Sequence, residues 1–238
     1  MLNQSNQPSQ SLQSIRLNKF LAERLGVSRR EADDLIVGGK ITIDGKPAEL
    51  GARIDKAQEV CYNKKVIPFE HKYLYIGLNK PVGYVCSRKR QGETPTVYEL
   101  LPEKYRLLKT VGRLDKDSSG LILLTNDGDF AYQMTHPKFF KTKIYHVELD
   151  RNLEPLHQQM IADFGVQLPD GVSKLGLTRL DAPESGERKR FEVEMHEGRN
   201  RQIRRTFEAL GYTVQKLHRL EFGKYTLGEL KPGEFREV

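Results

Sequence analysis

The sequence is poor in the residues that build metal centres, disulfide frameworks and membrane spans. Its two cysteines, Cys61 and Cys86, make no pairing pattern and suit a reducing cytoplasm. Six scattered histidines add no metal-ligand spacing, so no metal is expected. No apolar run approaches the ~20 residues that a bilayer-spanning helix needs, which argues against a membrane partner. The opening "MLNQSNQPSQSLQS" lacks a basic start followed by an apolar core, so it is no secretory leader. Rich in Gln, Asn and Ser, residues 1–14 have little apolar surface to bury and are expected to stay disordered. No serine–histidine–acid set and no glycine-rich phosphate loop after a strand is visible.

What the chain does have is positive charge. Thirty-nine Lys and Arg against 32 Asp and Glu give a net charge of +7 over 238 residues, enough for two modest domains. An anionic partner is implied, and nucleic acid fits better than a membrane surface. In "IRLNKFLAERLGVSRREADDLIVGGKITIDGK", Leu17, Phe20, Leu21 and Leu25 recur at helical spacing up to Gly26. Ser28 then caps a second helix, with Glu31 as its capping-box partner and Gly38-Gly39 as its stop. "KITIDGK" reads as a strand turning at Asp44-Gly45, and "EVCYNKKVI" as a further strand pair. The unit presents Arg16, Lys19, Arg29, Arg30, Lys40 and Lys46. Such a run is often only a solvated face. Arg29 and Arg30 are more pointed, because cations at a helix start oppose its dipole and suggest phosphate contacts.

This stretch, with its R-L-x-K-F-L opening and S-R-R-E-A helix start, resembles the S4-type (alpha-L) RNA-binding domain. The resemblance covers residues 15–66 and implies that two helices offer basic residues to structured RNA. Residues 67–72, "IPFEHK", read as a linker. Residues 73–238 form the second domain, where strands outnumber helices without regular alternation. That pattern predicts an α+β fold with a mixed, largely antiparallel sheet.

"GRLDKDSSGLILLTNDG" places Asp115 between a strand and a small-residue turn, beside Arg113 and Lys116. Read locally, Asp115 is a turn residue. Its company elsewhere tells against that reading. "EGRNRQIRR" gathers Arg199, Arg201, Arg204 and Arg205, with Arg201 and Arg205 expected on one helix face. Arg204 lies nearer the apolar stripe of Ile203 and Phe207, where a guanidinium wants a carboxylate, and Asp115 is the candidate. That pair would keep the Asp ionised and fixed in direction. Tyr145, on the strand "KTKIYHVEL", shares a face with Lys143 and Val147 and reads locally as core packing. His136 reads as a loop-ordering residue. Asp115 and Asp117 are too close in a turn to flank a substrate as glycosidase carboxylates do.

"LNKPVGYVCS", "GRLDKDSSGLILLTNDG", "KTKIYHVEL", "EGRNRQIRRTFEALG" and "VQKLHRLEFG" resemble, in order and spacing, the motifs of bacterial ribosomal RNA pseudouridine synthases of the RsuA branch. The resemblance implies a cofactor-independent isomerisation of uridine to pseudouridine, with Asp115 as the essential residue. It implies that Arg204 pairs with Asp115, that Tyr145 stacks on a flipped base, and that Ile203 and Leu217 wall the uracil. Arg113 is implied to fill the gap left by the flipped nucleotide, and Arg201 and Arg205 are read as further RNA contacts. The implied partner is ribosomal RNA or a ribosomal subunit precursor, met in the cytoplasm; the oligomeric state is not legible in the sequence, and a monomer is the default. A non-catalytic RNA-binding or ribosome-assembly protein is the rival reading. An RNA methyltransferase would need a glycine-rich loop that the sequence lacks.

Overall fold

The computed structural model describes residues 14–238, so the tail expected over residues 1–14 lies, except for Ser14, outside the described residues. The chain divides into two compact units, with the boundary between Tyr73 and Leu74.

The first unit runs β1 (Ile15–Arg16), α1 (Leu17–Arg24), α2 (Arg29–Val37), β2 (Ile41–Ile43), β3 (Lys46–Pro47), β4 (Arg53–Ile54), β5 (Val60–Tyr62) and β6 (Lys65–Val66). At the start of α2 the Glu31 amide donates to Ser28 Oγ (3.2 Å), and the Ser28 amide donates to the Glu31 carboxylate (2.7 Å). Such a reciprocal cap is worth about 1 kcal/mol. Leu17, Phe20 and Leu21 of α1 and Ala32 and Ile36 of α2 close over Ile41, Ile54 and Val60. The strands pair β3-β2-β5-β6, with β1 on β4. Asp44 and Gly45, both at positive φ, make the β2–β3 turn. Ile67 and Phe69 fall in the stretch that reads as a linker, yet Ile67 is buried in this core. Phe69 lies 4.7 Å from the Phe20 ring, and Arg24 donates to its carbonyl (2.6 Å). Apolar contact thus carries the unit past Val66.

The second unit holds a nine-stranded sheet. Its strands are β7 (Tyr75–Lys80), β8 (Lys109–Val111), β9 (Ser119–Thr125), β10 (Lys143–Leu149), β13 (Gly176–Arg179), β14 (Arg190–Met195), β15 (Val214–Phe222), β16 (Tyr225–Thr226) and β17 (Phe235–Glu237). A separate hairpin pairs β11 (Val166–Leu168) with β12 (Gly171–Ser173). The order is β13-β14-β10-β15-β9-β7-β17, with β16 on β15 and β8 on β9. Every pairing is antiparallel except β15 with β9. This is the mixed, largely antiparallel α+β fold expected from the sequence.

β9 explains the position of the site. Its residues alternate between two buried faces: Ile122 and Leu124 join the main core, while Leu121 and Leu123 join a smaller cluster with Met134 and Phe222. A strand buried on both faces is held rigidly, and the turn that precedes it inherits that rigidity. The helices are α3 (Gly128–Thr135), α4 (Pro155–Gln159) and α5 (Gln202–Glu208). The sequence pattern does not announce α3, α4, the β11–β12 hairpin or β17.

Candidate active site

The turn between β8 and β9 carries Gly112 to Ser118, and it is tied on several sides. Leu114 is buried in the core. The Gly83 amide donates to Lys116 O (2.8 Å), and the Ser118 amide to Asp115 O (3.1 Å). Lys80, fully buried at the end of β7, donates to the carbonyls of Pro81 (2.9 Å) and Ser118 (2.6 Å). Burial lowers its pKa to about 8, although Cys86, Asp117 and Asp115 pull the other way. A buried ammonium thus fastens the turn from beneath. Asp115 is left with its carboxyl about one-third exposed.

The arginines around this turn are arranged differently from the expectation. Arg204 does pack, buried, beside the apolar stripe, but its carboxylate partner is Asp117, with Nε 3.3 Å from Oδ2. Its Nη1 donates to Val214 O (2.6 Å) and its Nη2 to Asp117 O (2.9 Å), so it clamps the turn to the start of β15. Asp115 is paired instead with Arg201, at 3.5 Å, and Arg201 also reaches Asp117 at 3.2 Å. The physical reason is where α5 starts. Arg201 is its N-cap residue, with φ +48°, and so leaves the face that Arg205 occupies. Arg205 pairs with Asp170 at 2.8 Å, away from the turn. Burial pushes the Asp117 carboxyl up, but Arg201 and Arg204 outweigh it and hold the group below its ordinary value.

Asp115 lines a pocket of about 290 Å³. Of the other residues singled out by the sequence, Arg113, Tyr145, Arg201, Ile203 and Leu217 also line it, while Arg204 stands behind the wall. Tyr145 and Leu217 arrive from adjacent strands, since β10 and β15 pair Tyr145 with Arg219 and Val147 with Leu217. Arg113, Asp115 and Arg201 also line a second, wider groove of about 630 Å³, together with Val82, Cys86 and Gln91. Asp115 therefore sits on a wall shared by two cavities.

Four residues of the site were not foreseen in these roles: Lys80, Asp117, Lys143 and Arg219. Lys143 and Arg219 carry a legible signal, since each stands two positions along a strand from a residue that faces the pocket, Tyr145 and Leu217. Gly120 makes the approach of Arg219 possible. It has φ +103°, and a Cβ built there would fall 2.5 Å from the Arg219 backbone nitrogen. Only a residue without a side chain lets β9 and β15 pair at this point.

Arg16, Arg29, Arg30 and Lys40 of the first unit are exposed and have no ion-pair partner among the described residues; Lys19 is half-buried. His136 accepts from the Lys138 amide and orders its loop. No group of three or more metal-binding side chains occurs among the described residues, and no described helix is long and apolar enough to cross a membrane.

Comparison with known proteins bears on both units. The model of the RNA pseudouridylate synthase family matches residues 74–209, and that of the S4 domain matches residues 15–61. The chain is 38% identical over 228 residues to the ribosomal small subunit pseudouridine synthase A of Yersinia pestis, with 94% of each protein covered. It is 34% identical over 227 residues to the ribosomal large subunit pseudouridine synthase B of Bacillus subtilis (strain 168), covering 94% of this chain and 91% of that one. A crystal structure of a pseudouridylate synthase aligns with a TM-score of 0.67 at 31% identity, over 94% of this chain and 96% of that one.

Proposed function

Because the chain belongs to the RNA pseudouridylate synthase family, we propose that it isomerises specific uridines of ribosomal RNA to pseudouridine, with Asp115 acting on the ribose. The reaction breaks the N1–C1′ bond, turns the uracil and rejoins it through C5. No atom enters or leaves, so the chemistry balances without a co-substrate. The carboxylate has two complete routes: bonding to C1′ as nucleophile, or taking the C2′ proton as base. The observation that carries the reading is the position of Asp115, on the wall of a pocket that Tyr145, Ile203 and Leu217 also line.

The target base leaves its stack to enter that pocket, at a cost of a few kcal/mol. Tyr145 stacks on it, and Ile203 and Leu217 wall it in. Arg113, exposed on the wall between the two cavities, fills the gap in the RNA. Arg201 holds Asp115 in direction. Arg204 acts one step further back, by fixing the turn through Asp117 and Val214. The S4 domain binds RNA, and its exposed Arg16, Arg29, Arg30 and Lys40, with Lys19, meet phosphates of ribosomal RNA or a subunit precursor. We place this activity in the cytoplasm and in a monomer.

The test is incubation of uridine-labelled ribosomal RNA with the protein alone, followed by nucleoside analysis. Pseudouridine is the expected product. Tight RNA binding with uridine unchanged would support a binding protein instead.

A further inference from the structure

Two buried cations line the pocket without a role in the reading above. Arg219 is 2% exposed and Lys143 is 9% exposed. The Arg219 Nε donates to Leu121 O (2.7 Å), and Nη1 reaches the Tyr145 hydroxyl at 3.5 Å. Its Nη2 is buried with no partner among the described residues. Lys143 donates to Glu197 O (3.1 Å) and, more weakly, to Lys141 O (3.3 Å), which leaves one N–H over. Both cations lie against the Phe222 ring, Arg219 Cζ at 4.9 Å and Lys143 Nζ at 5.3 Å from its centroid. Neither has an ion-pair partner among the described residues. The carboxylate whose charge reaches Lys143, Glu197, is engaged by Arg199 and Gln202. Burial and the Arg219 charge together lower the Lys143 pKa to about 8.

Burying two like charges without a counter-charge is costly, and a buried donor without an acceptor calls for an explanation. Arg204 and Arg205 in this same unit also leave a buried Nε without a hydrogen-bond partner, but each meets a carboxylate, which Arg219 and Lys143 do not. The missing counter-charge of Arg219 and Lys143 belongs to what the pocket receives.

The identity of that charge follows from the bond that breaks, and this step rests on the proposed function. When N1–C1′ cleaves, the electron pair leaves with N1, whether Asp115 bonds to C1′ or takes the C2′ proton. The freed uracil is a monoanion, its charge spread over N1 and the carbonyl oxygens O2 and O4. We infer that Arg219 and Lys143 form an anion site for the departing uracil, donating from Arg219 Nη2 and the remaining Lys143 N–H to its carbonyl oxygens. The charge they meet develops only as the bond breaks, so the pair favours the transition state over the bound uridine. It also holds the free base while it turns. Rejoining at C5 returns the electron pair to a C–C bond, and exchange of the C5 proton for one on N1 leaves a neutral product.

The test varies the leaving group. The full chain is given an RNA carrying uridine, or 5-fluorouridine, at the target position, and loss of the N1-linked nucleoside is followed in a single turnover. Fluorine stabilises the uracil anion and so replaces part of what the cations do. Arg219→Gln and Lys143→Gln should each slow the uridine substrate by about 100-fold. With 5-fluorouridine that deficit should shrink about tenfold. Equal deficits on both bases would overturn the inference. A misfolded Arg219→Gln leaves Lys143→Gln and a binding experiment to decide. Barbiturate has the shape of uracil and is already anionic at neutral pH. Calorimetry should show the unaltered protein preferring barbiturate to uracil by about tenfold, a difference of ~1.4 kcal/mol. Lys143→Gln should lose that preference and Arg219→Lys should keep it. Equal affinity for the two bases, no measurable barbiturate binding, or its displacement by equimolar inorganic phosphate would each overturn the anion site. An unaltered protein that forms no pseudouridine would sink the proposed function alone, because the barbiturate titration reads the pocket without turnover.

Discussion

The cations of the first unit and the arginines at and just before α5 have the same chemistry and opposite circumstances. Arg16, Arg29, Arg30 and Lys40 are exposed and have no ion-pair partner among the described residues. Arg199, Arg201, Arg204 and Arg205 each have a carboxylate within 3.5 Å. Free, solvated side chains suit a partner whose phosphates repeat along a flexible strand, where many weak contacts add up. Tied side chains suit a reaction that tolerates little displacement of the group performing it. Under the proposed function the difference separates holding RNA from acting on it, and it can be attacked from either side.

The hardest blow falls on Asp115. Asp115→Asn keeps the size and removes the charge, and pseudouridine formation should drop by about a thousandfold or more, ~4 kcal/mol of barrier. RNA affinity should stay within about threefold, roughly 0.6 kcal/mol. Turnover by a folded Asn variant would refute the assignment. Arg204→Ala should come next, at about 10- to 100-fold in kcat with KM little changed. It strips the Val214 and Asp117 carbonyls of a buried donor and should also destabilise the fold by about 1–3 kcal/mol. Arg204→Lys should recover part of the rate. An effect confined to KM would move Arg204 to the RNA-holding group.

A third break comes from pH. Lys143 meets Arg219 from β15 and Glu197 from the loop after β14, and its pKa is lowered to about 8. The cation is complete below that value, so the rate should fall by up to about tenfold as pH rises through 8. Lys143→Arg should abolish this limb. A remnant would report Lys80, also lowered to about 8. The effect on stability has the opposite sign. Between about pH 8 and 10.5 the unfolded chain binds more protons at these lysines than the folded one, so their contribution to stability rises as activity falls. Circular dichroism at pH 9 should therefore show an intact but slow enzyme. The mildest change is Arg29→Ala with Arg30→Ala. KM should rise a few-fold, kcat should hold within about twofold, and each lost phosphate contact should flatten the salt slope by ~0.7–0.9. A fall in kcat with unchanged KM would erase the contrast between the two regions.

Local chemistry was legible where it decided structure. Ser28 and Glu31 announce the start of α2 because the cap is complete within four residues. The alternation around Tyr145 announces its face because a strand has a period of two. α3 hides because it opens at Gly128 and ends at Thr135, both poor helix formers, and it relies on Asp127 capping its first amides. β17 hides because its partner β7 lies more than 150 residues upstream, and no local pattern encodes such a pairing. The motif residues Asp115, Tyr145, Ile203 and Leu217 could be listed from the sequence, yet the pairing of Arg204 could not. It depends on a left-handed residue at position 201 and on which carboxylate of the turn points towards α5.

Gly120 shapes what this protein can become. Every replacement for glycine carries a Cβ, and at this position a Cβ meets the backbone of Arg219 rather than a side chain able to swing aside. The positive φ penalises the same replacements independently. Any missense change in codon 120 should therefore part the strand that follows Asp115 from the strand that carries Arg219. Replacement here should cost the pocket outright instead of adjusting it. A saturation library at codon 120 should return glycine alone among active clones, while position 203 or 217 tolerates other apolar side chains. Attempts to retrain the pocket for a different base have room at those walls and none at the seam.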